Sequence, residues 1–492
     1  MATRRGRLLQ QQWLGLQALR LPLGGVGAAP GSDRFRRGPD ARAAAFRTPG
    51  KQPAPGDGPW GRPCPHCPAW LDSMPAEILL KILSYLDAAA LLCVGCVNRR
   101  LYHLANDKYN WSADPGRKAA ESVSLLSVED REAGYWKRQC IAKRMASLRA
   151  ALAQVLKPVN LYTGLPEKTK EALRVSGVGW VVVLRETSGR EHVLEHADLF
   201  LNDSSVTVAW HGKAWPPLAA LAALDLCGVV PVFADWPKPP AKHGPRWRSL
   251  VARYSLRDVT DSAVLGCDRF VRLFRLDPGL LVGLWKREEE LAFVMANLHV
   301  SHLVERSVLG SATVPYEPPP PGARSDDSPE CGLRGYQLHV DLHSGGAFCL
   351  CSTFCNLFAD TGGMGHGYVT LVVIRVQNSV EHLPLIGEVG LCWRTGAADG
   401  CVQSCSIMDV TLLDEYGKPF WCFSSPVCMR ACPGPCDSAR VAGQTSCIDY
   451  EDAAGAVHME LVRIRETGEF FVVSLELRLS LARINRWFGT RY

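Results

Sequence analysis

Three stretches carry residue types whose spacing could do chemistry. His339-Val340-Asp341-Leu342-His343 sets two imidazoles and a carboxylate at every second position. On a strand the period of two puts all three on one face, with Leu338, Val340 and Leu342 on the other, a row of potential metal ligands such as a metal-dependent enzyme would use. Any half-exposed strand shows the same alternation, and same-face neighbours stand about 7 Å apart, too far for three to hold one ion without bending. Cys64-Pro65-His66-Cys67 has the two-residue gap that lets two thiolates face one tetrahedral zinc. No second half follows close behind it. Cys349, Cys351 and Cys355, Cys401 and Cys405, and Cys428, Cys432 and Cys436 lie far off, and none repeats the gap. The cysteines therefore read as small buried hydrophobes, and neither a metal nor a cofactor is expected. Thr361 to Gly367, "TGGMGHG", lacks the Lys-Ser/Thr of a phosphate loop and reads as a surface loop. With no G-x-S-x-G, no H-E-x-x-H and no dinucleotide fingerprint, no catalytic residue is assigned.

Composition bounds what could position such groups. At 492 residues and 47% hydrophobic content the chain should hold two to four domains with real cores. The net charge is +6, yet residues 1–60 carry nine Arg and one Lys against three Asp, so the remainder sits at −1. That leaves no basic domain face, and a nucleic-acid partner is not expected. No uncharged apolar run reaches the length of a membrane span, so no membrane partner is expected either. Nineteen cysteines, an odd number, without a secretory signal read as reduced thiols. The expected location is the cytoplasm, the nucleus or both. Residues 1–69 read as a disordered basic tail, with a mitochondrial address as the competing reading of the Arg-rich, acid-poor start.

The best-formed local signal lies at residues 70–112. Asp72 and Ser73 can start a helix, Pro75 suits its first turn, and Ile78, Leu79, Ile82, Leu83 and Leu86 recur at helical spacing. Asp87 can cap a second helix carrying Leu91, Leu92 and Val94. Gly95 permits a break, and Val97, Leu101 and Leu104 mark a third helix running toward Trp111. Three helices of two to three turns cannot bury both their faces. A unit of this size seldom stands alone without a metal, a disulfide or a partner, so it reads as a docking element.

Met74-Pro75, Glu77-Ile78-Leu79, Ile82 to Asp87, Leu91-Leu92, Val97, Arg99-Arg100, Leu104-Ala105 and Trp111 resemble, in order and spacing, the F-box motif. The resemblance to F-box proteins implies a non-catalytic receptor subunit of an SCF-type (Skp1–cullin–F-box) ubiquitin ligase. It implies that Met74, Pro75, Ile78, Leu79, Ile82, Leu83, Leu86, Leu91, Leu92 and Val97 supply the contact to the Skp1 adaptor, with Trp111 closing its far end. The cullin scaffold would be reached through the adaptor. In so small a unit about half of these residues should face inward, so interface and support are mixed.

Beyond it, residues 113–160 read as a linker with an amphipathic helix, its apolar stripe at Ile141, Met145, Leu148, Leu152 and Val155. Residues 161–315 read as mixed α and β, with "WVVVLRE", "SVTVAWHG" and "VVPVFADW" as strands and "WKREEELAFVMANLHVSHLV" as a helix. Residues 316–330, with four consecutive prolines, read as a linker or long loop. Residues 331–492 read as β-rich, with strands at "YQLHVDLH", "VTLVVIRV", "CSIMDVTLLDE" and "FFVVSLELRLSL" and a hairpin turn at Glu466 to Glu469. The expected fold class is α+β with a β-sandwich-like C-terminal domain that binds an unknown client protein. Two competing functions remain: an F-box protein that binds the adaptor without a ligase role, and a metal enzyme built on His339, Asp341 and His343.

Overall fold

The computed structural model describes residues 71, 74–107, 110–111, 135–212, 215–232, 244–257, 259–318, 331–387, 389–432 and 443–492. The basic tail with its Cys64 and Cys67, the Asp72-Ser73 helix start and most of the proline run lie outside them. Near the N-terminus, α1 (Ala76–Leu83), α2 (Ala88–Val94) and α3 (Arg99–Ala105) form the three-helix unit. The second and third of these short helices begin at a capping side chain, while α1 starts at Pro75 without one. Asp87 accepts from the Ala90 N–H at 2.7 Å, and Asn98 accepts from the Leu101 N–H at 2.8 Å.

The linker helix is α4 (Tyr135–Val155). Ile141, Met145, Leu148, Leu152 and Val155 are turned away from solvent, and the residues between them are exposed. Leu152 and its neighbours pack against Ala172 of α5 (Thr169–Ser176) and against Val304 and Val308 of α6 (Leu303–Leu309). At its other end Cys140 joins the core of the three-helix unit. One helix thus ties that unit to everything downstream.

Strands dominate the rest, and every pairing among them is antiparallel. A four-stranded sheet runs in the order Glu191–Glu195, Gly179–Glu186, Leu221–Pro231, Arg246–Ser255. A six-stranded sheet runs Asp198–Leu201, Ser205–His211, Leu291–His299, Leu280–Trp285, Val271–Leu276, Val264–Cys267. The two share a core of Trp180, Val182, Leu224 and Leu226 against Val206, Trp210, Val282 and Val294. Across the back of the four-stranded sheet α6 comes so close that a Cβ on Gly228 would sit 2.7 Å from the Ser307 Cα. Only glycine leaves room there.

The third sheet has ten strands and begins Phe348–Leu357, Tyr336–His343, Cys405–Leu413, Pro419–Ala431. The 13-residue strand Pro419–Ala431 turns the corner: its first part pairs with Cys405–Leu413, and Met429 to Ala431 pair with Ser446 to Ile448. Gly455–Ile464, Phe470–Ser480 and Tyr368–Ile374 then continue the second limb. Leu338, Val340 and Leu342 from one limb and Val457, Met459, Leu475 and Leu477 from the other enter one core, closed at its end by Phe488 of α7 (Leu481–Phe488). The result is the expected α+β protein with a sandwich-like β-rich C-terminal region. The 466–469 turn falls between two strands as expected, with Gly468 at φ 73°.

One element departs from expectation. "LAFVMANLH" is a strand, Leu291–His299, and only Leu303–Leu309 is helical. The reason lies in the layers. The six-stranded sheet meets the four-stranded sheet on one face. On the other it meets Leu391, Trp393, Val402 and Ile407, so Phe293 and Met295 are buried opposite Val294 and Ala296. A strand covered on both faces loses the alternation by which strands are recognised, and its continuous apolar run imitates a buried helix. The same packing means that side chains from either side of residues 316–330 share one cluster.

Candidate functional site

The three-helix unit closes its own core with Leu83, Leu91, Ala105 and Trp111, flanked by Leu86, Ala88, Leu92, Val94 and Leu104. The Trp111 indole N–H donates to the Ala105 carbonyl at 2.6 Å, and the buried Asn110 amide donates to the Leu104 carbonyl at 2.8 Å. Those two bonds dock the segment after α3 onto the helix carbonyls that its C-terminus leaves open. Leu79 is buried as well.

Other apolar side chains point the opposite way. Ile78 is 50% exposed and Ile82, one turn later, 45%, followed by Tyr85 at 77%, Val97 at 69% and Tyr102 at 49%. Pro75 is exposed, and Met74, Leu86 and Leu92 are partly so. The residues singled out from the sequence therefore divide. Leu79, Leu83, Leu91 and Trp111 support the unit from within; Pro75, Ile78, Ile82 and Val97 face outward, with Met74, Leu86 and Leu92 between. The exposed rings of Tyr85 and Tyr102 add apolar surface that periodicity did not mark, because each falls off the apolar repeat. Lys81 lies over the Tyr85 ring at 5.3 Å from its centroid. An outward isoleucine pair on a unit with a finished core can bind another apolar surface.

The second constellation sits where the six-stranded and ten-stranded sheets meet. On Tyr336–His343, Leu338, Val340 and Leu342 enter the core as the period of two requires, and His339, Asp341 and His343 take the other face. That face is covered rather than open. Asp341 is 2% exposed, His343 0%, and Asp409, directly opposite Asp341 on the paired strand, 1%. Two carboxylates across a strand pair would repel, and each is answered by its own imidazole and hydroxyl. Asp341 Oδ2 lies 3.3 Å from His339 Nε2 and accepts from the Ser204 hydroxyl at 2.7 Å. Asp409 Oδ2 lies 2.9 Å from His343 Nε2 and accepts from the Ser205 hydroxyl at 2.5 Å.

His343 and its neighbours fix one another's protons. The Gly345 N–H points at His343 Nδ1 across 3.1 Å and requires a lone pair there, which leaves the proton on Nε2, toward Asp409. Burial alone would push the Asp409 carboxyl up. The adjacent His343 ring and the Ser205 hydroxyl more than offset this and hold it below the usual carboxylate range. His299, on the facing sheet, shares its Nε2 with the Thr411 hydroxyl at 2.9 Å and accepts the Ser301 N–H on Nδ1.

The trio His339, Asp341 and His343 is thus not one site. His343 turns to Asp409 and Ser205, so a metal enzyme on those three residues does not match the geometry. Ser205, His343 and Asp409 do not form a nucleophile triad either: serine and aspartate meet the same ring nitrogen, which itself is closed to solvent. What His339 and Asp341 do meet is Cys351, with ligand atoms of the three within 4.8 Å of one another. The glycine-rich "TGGMGHG" forms a short 3-10 turn capped by Asp360, whose side chain accepts from the Gly362 N–H at 3.0 Å.

Comparison with known proteins agrees with the three-helix unit. Residues 71–113 match the F-box-like family. The human protein F-box only protein 15 (Homo sapiens) is 59% identical over the whole of both chains. Its namesake in Bos taurus is 60% identical, covering 88% of this chain and 96% of its own, and that in Mus musculus 48%, covering 85% and 100%. Among solved structures, a Pseudomonas aeruginosa DNA polymerase sliding clamp aligns over 69% of this chain and 62% of its own at 11% identity and a TM-score of 0.07, which carries no argument about fold.

Proposed function

The chain belongs to the F-box only protein 15 family, and from that premise we propose that it is the substrate-recognition subunit of an SCF-type ubiquitin ligase. In this reading the three-helix unit holds the Skp1 adaptor and, through it, the cullin scaffold. The β-rich body holds a client protein. The chain itself performs no chemistry; it makes the encounter between a client lysine and a ubiquitin thioester on another subunit local, which raises effective concentration and fixes orientation. The proposed setting is the cytoplasm, the nucleus or both.

The observation that supports this most is the outward pair Ile78 and Ile82 beside a core already closed by Leu83, Leu91 and Trp111. Apolar area left wet in the free chain is worth roughly 25 cal/mol per Å² once covered, before association costs are subtracted. The α4 helix suits the second half of the reading, since it packs at one end on the adaptor-binding unit and at the other on the body, and so sets a fixed spacing between them.

The test is co-purification of adaptor and cullin with the intact chain and with Ile78→Asp. The wild type should bring down both and the variant neither. A wild type that brings down the adaptor without cullin would make the chain an adaptor-binding protein outside the ligase.

A further inference from the structure

Cys351 stands directly opposite Asp341 in the strand pair, and Thr353 directly opposite His339, so all four side chains share one face at the edge of the ten-stranded sheet. We propose that His339, Asp341 and Cys351 form a binding site for a zinc-type divalent cation.

The donor set is one imidazole nitrogen, one carboxylate oxygen and one thiolate sulfur, the mixture that borderline-soft zinc takes. The separations fit. Two nitrogen or oxygen donors on a tetrahedral zinc, each at about 2.0 Å, stand about 3.3 Å apart. His339 Nε2 and Asp341 Oδ2 are 3.3 Å apart, and all three ligand atoms lie within 4.8 Å of each other. All three ligand atoms thus lie close enough to turn toward one ion.

Two of the three ligands are already oriented by a neighbour. Thr353 Oγ1 lies 2.7 Å from His339 Nδ1, which commits that nitrogen and leaves Nε2 facing Asp341. Ser204 holds Asp341 Oδ2. The other carboxylate oxygen, Oδ1, is buried and accepts no hydrogen bond, in a side chain 3% exposed. A buried carboxylate short of one donor is costly to keep charged, and a cation at its Oδ2 offsets that cost by answering the charge. Metal-binding imidazoles and carboxylates are held in this way by the groups behind them.

Cys351 is on the exposed side of the cluster, which gives an ion a way in. Binding replaces the Cys351 thiol proton, which passes to solvent as the S–metal bond forms. Asp203, exposed on the turn that also carries Ser204, acts electrostatically on both His339 and Cys351. Three protein ligands leave a fourth position for water. The consequence is mechanical: an ion here fastens the two strands of the edge hairpin to each other, beside the Ser204 hydroxyl that holds Asp341 across the seam.

The test uses the full chain with Cys64→Ser and Cys67→Ser, so that the tail cysteines cannot compete, reduced, stripped with a chelator and titrated with Co²⁺. One equivalent should bind with a thiolate-to-cobalt absorption band, and zinc should raise the unfolding temperature. Cys351→Ser should abolish the band and weaken binding at least tenfold, and His339→Ala should weaken it similarly. Cys355→Ser, exposed on the same strand, should change nothing. The proposal is overturned if the parent chain takes up no cobalt, or if the band and affinity survive Cys351→Ser. Both informative substitutions are outside the packed core, and circular dichroism of the metal-free variants verifies that they fold.

Discussion

The three-helix unit and the seam between the sheets invert one another. In the first, apolar side chains such as Ile78, Ile82 and Val97 are left in water around a finished core. In the second, His343, Asp409, Ser204 and Ser205 are taken out of water into a hydrogen-bonded layer. Wet apolar surface is a statement about another molecule, because only a partner can cover it. A dry polar layer is a statement about this one. Its bonds demand particular partners at particular angles, and so fix how two sheets sit together.

The largest effect expected from that contrast is at the seam. Asp409→Ala leaves two buried donors, the His343 Nε2–H and the Ser205 hydroxyl, without their acceptor, and at about 1–3 kcal/mol for each should lower stability by about 3–5 kcal/mol in chemical denaturation of the whole chain. Adaptor capture under native conditions should survive as long as the chain is folded. A loss below about 1 kcal/mol would mean that the layer is open to water. Next in size, Leu91→Ala removes the most enclosed side chain of the helical unit and should cost about 2–5 kcal/mol within it. Hydrogen exchange should show that loss confined to α1–α3. A uniform loss across the sheets would mean that the unit and the body unfold together.

A smaller effect concerns pH. Burial holds the His299 pKa down to about 4, against the upward pull of Asp409 and Asp341 and with the help of Arg306 and His339. In the unfolded chain the ring titrates near about 6.5 and takes up a proton that the folded ring refuses. Its contribution is therefore complete above about pH 6.5 and is lost as pH falls from there toward 4. The unfolding midpoint should drop between pH 7 and 5, and His299→Gln should flatten that slope; an unchanged slope contradicts the assignment. Smallest, Asn98→Ala removes the cap of α3 and should cost about 1 kcal/mol, read as local exchange.

The same inversion explains what could be read from the residues alone. Helices whose apolar repeat faces one way were legible, as the stripe from Ile141 to Val155 shows, and for α2 so was the cap, Asp87. So were strands whose side chains alternate apolar and polar, such as Tyr336–His343, whichever faces are covered. Leu291–His299 was not, because burial on both faces erases its period. Alternation placed His339, Asp341 and His343 on one face but could not say that the face is covered. Its partners are remote: Asp409 is 66 residues from His343, and Ser205 is 138. Cys351 meets Asp341 only through strand register, which pairs them across the hairpin. Local spacing carries local structure, and sites assembled by register become visible only when the strands are paired.

The most direct test of the docking reading is calorimetric titration of purified Skp1 into the intact chain, side by side with an Ile78→Asp/Ile82→Asp double variant. Both positions are half exposed, so stability should change by no more than about 0.5 kcal/mol per site. The expected result is one-to-one binding by the wild type, with affinity falling at least a hundredfold in a variant of unaltered unfolding temperature. Equal affinity for the two chains, or no binding by either, would contradict it.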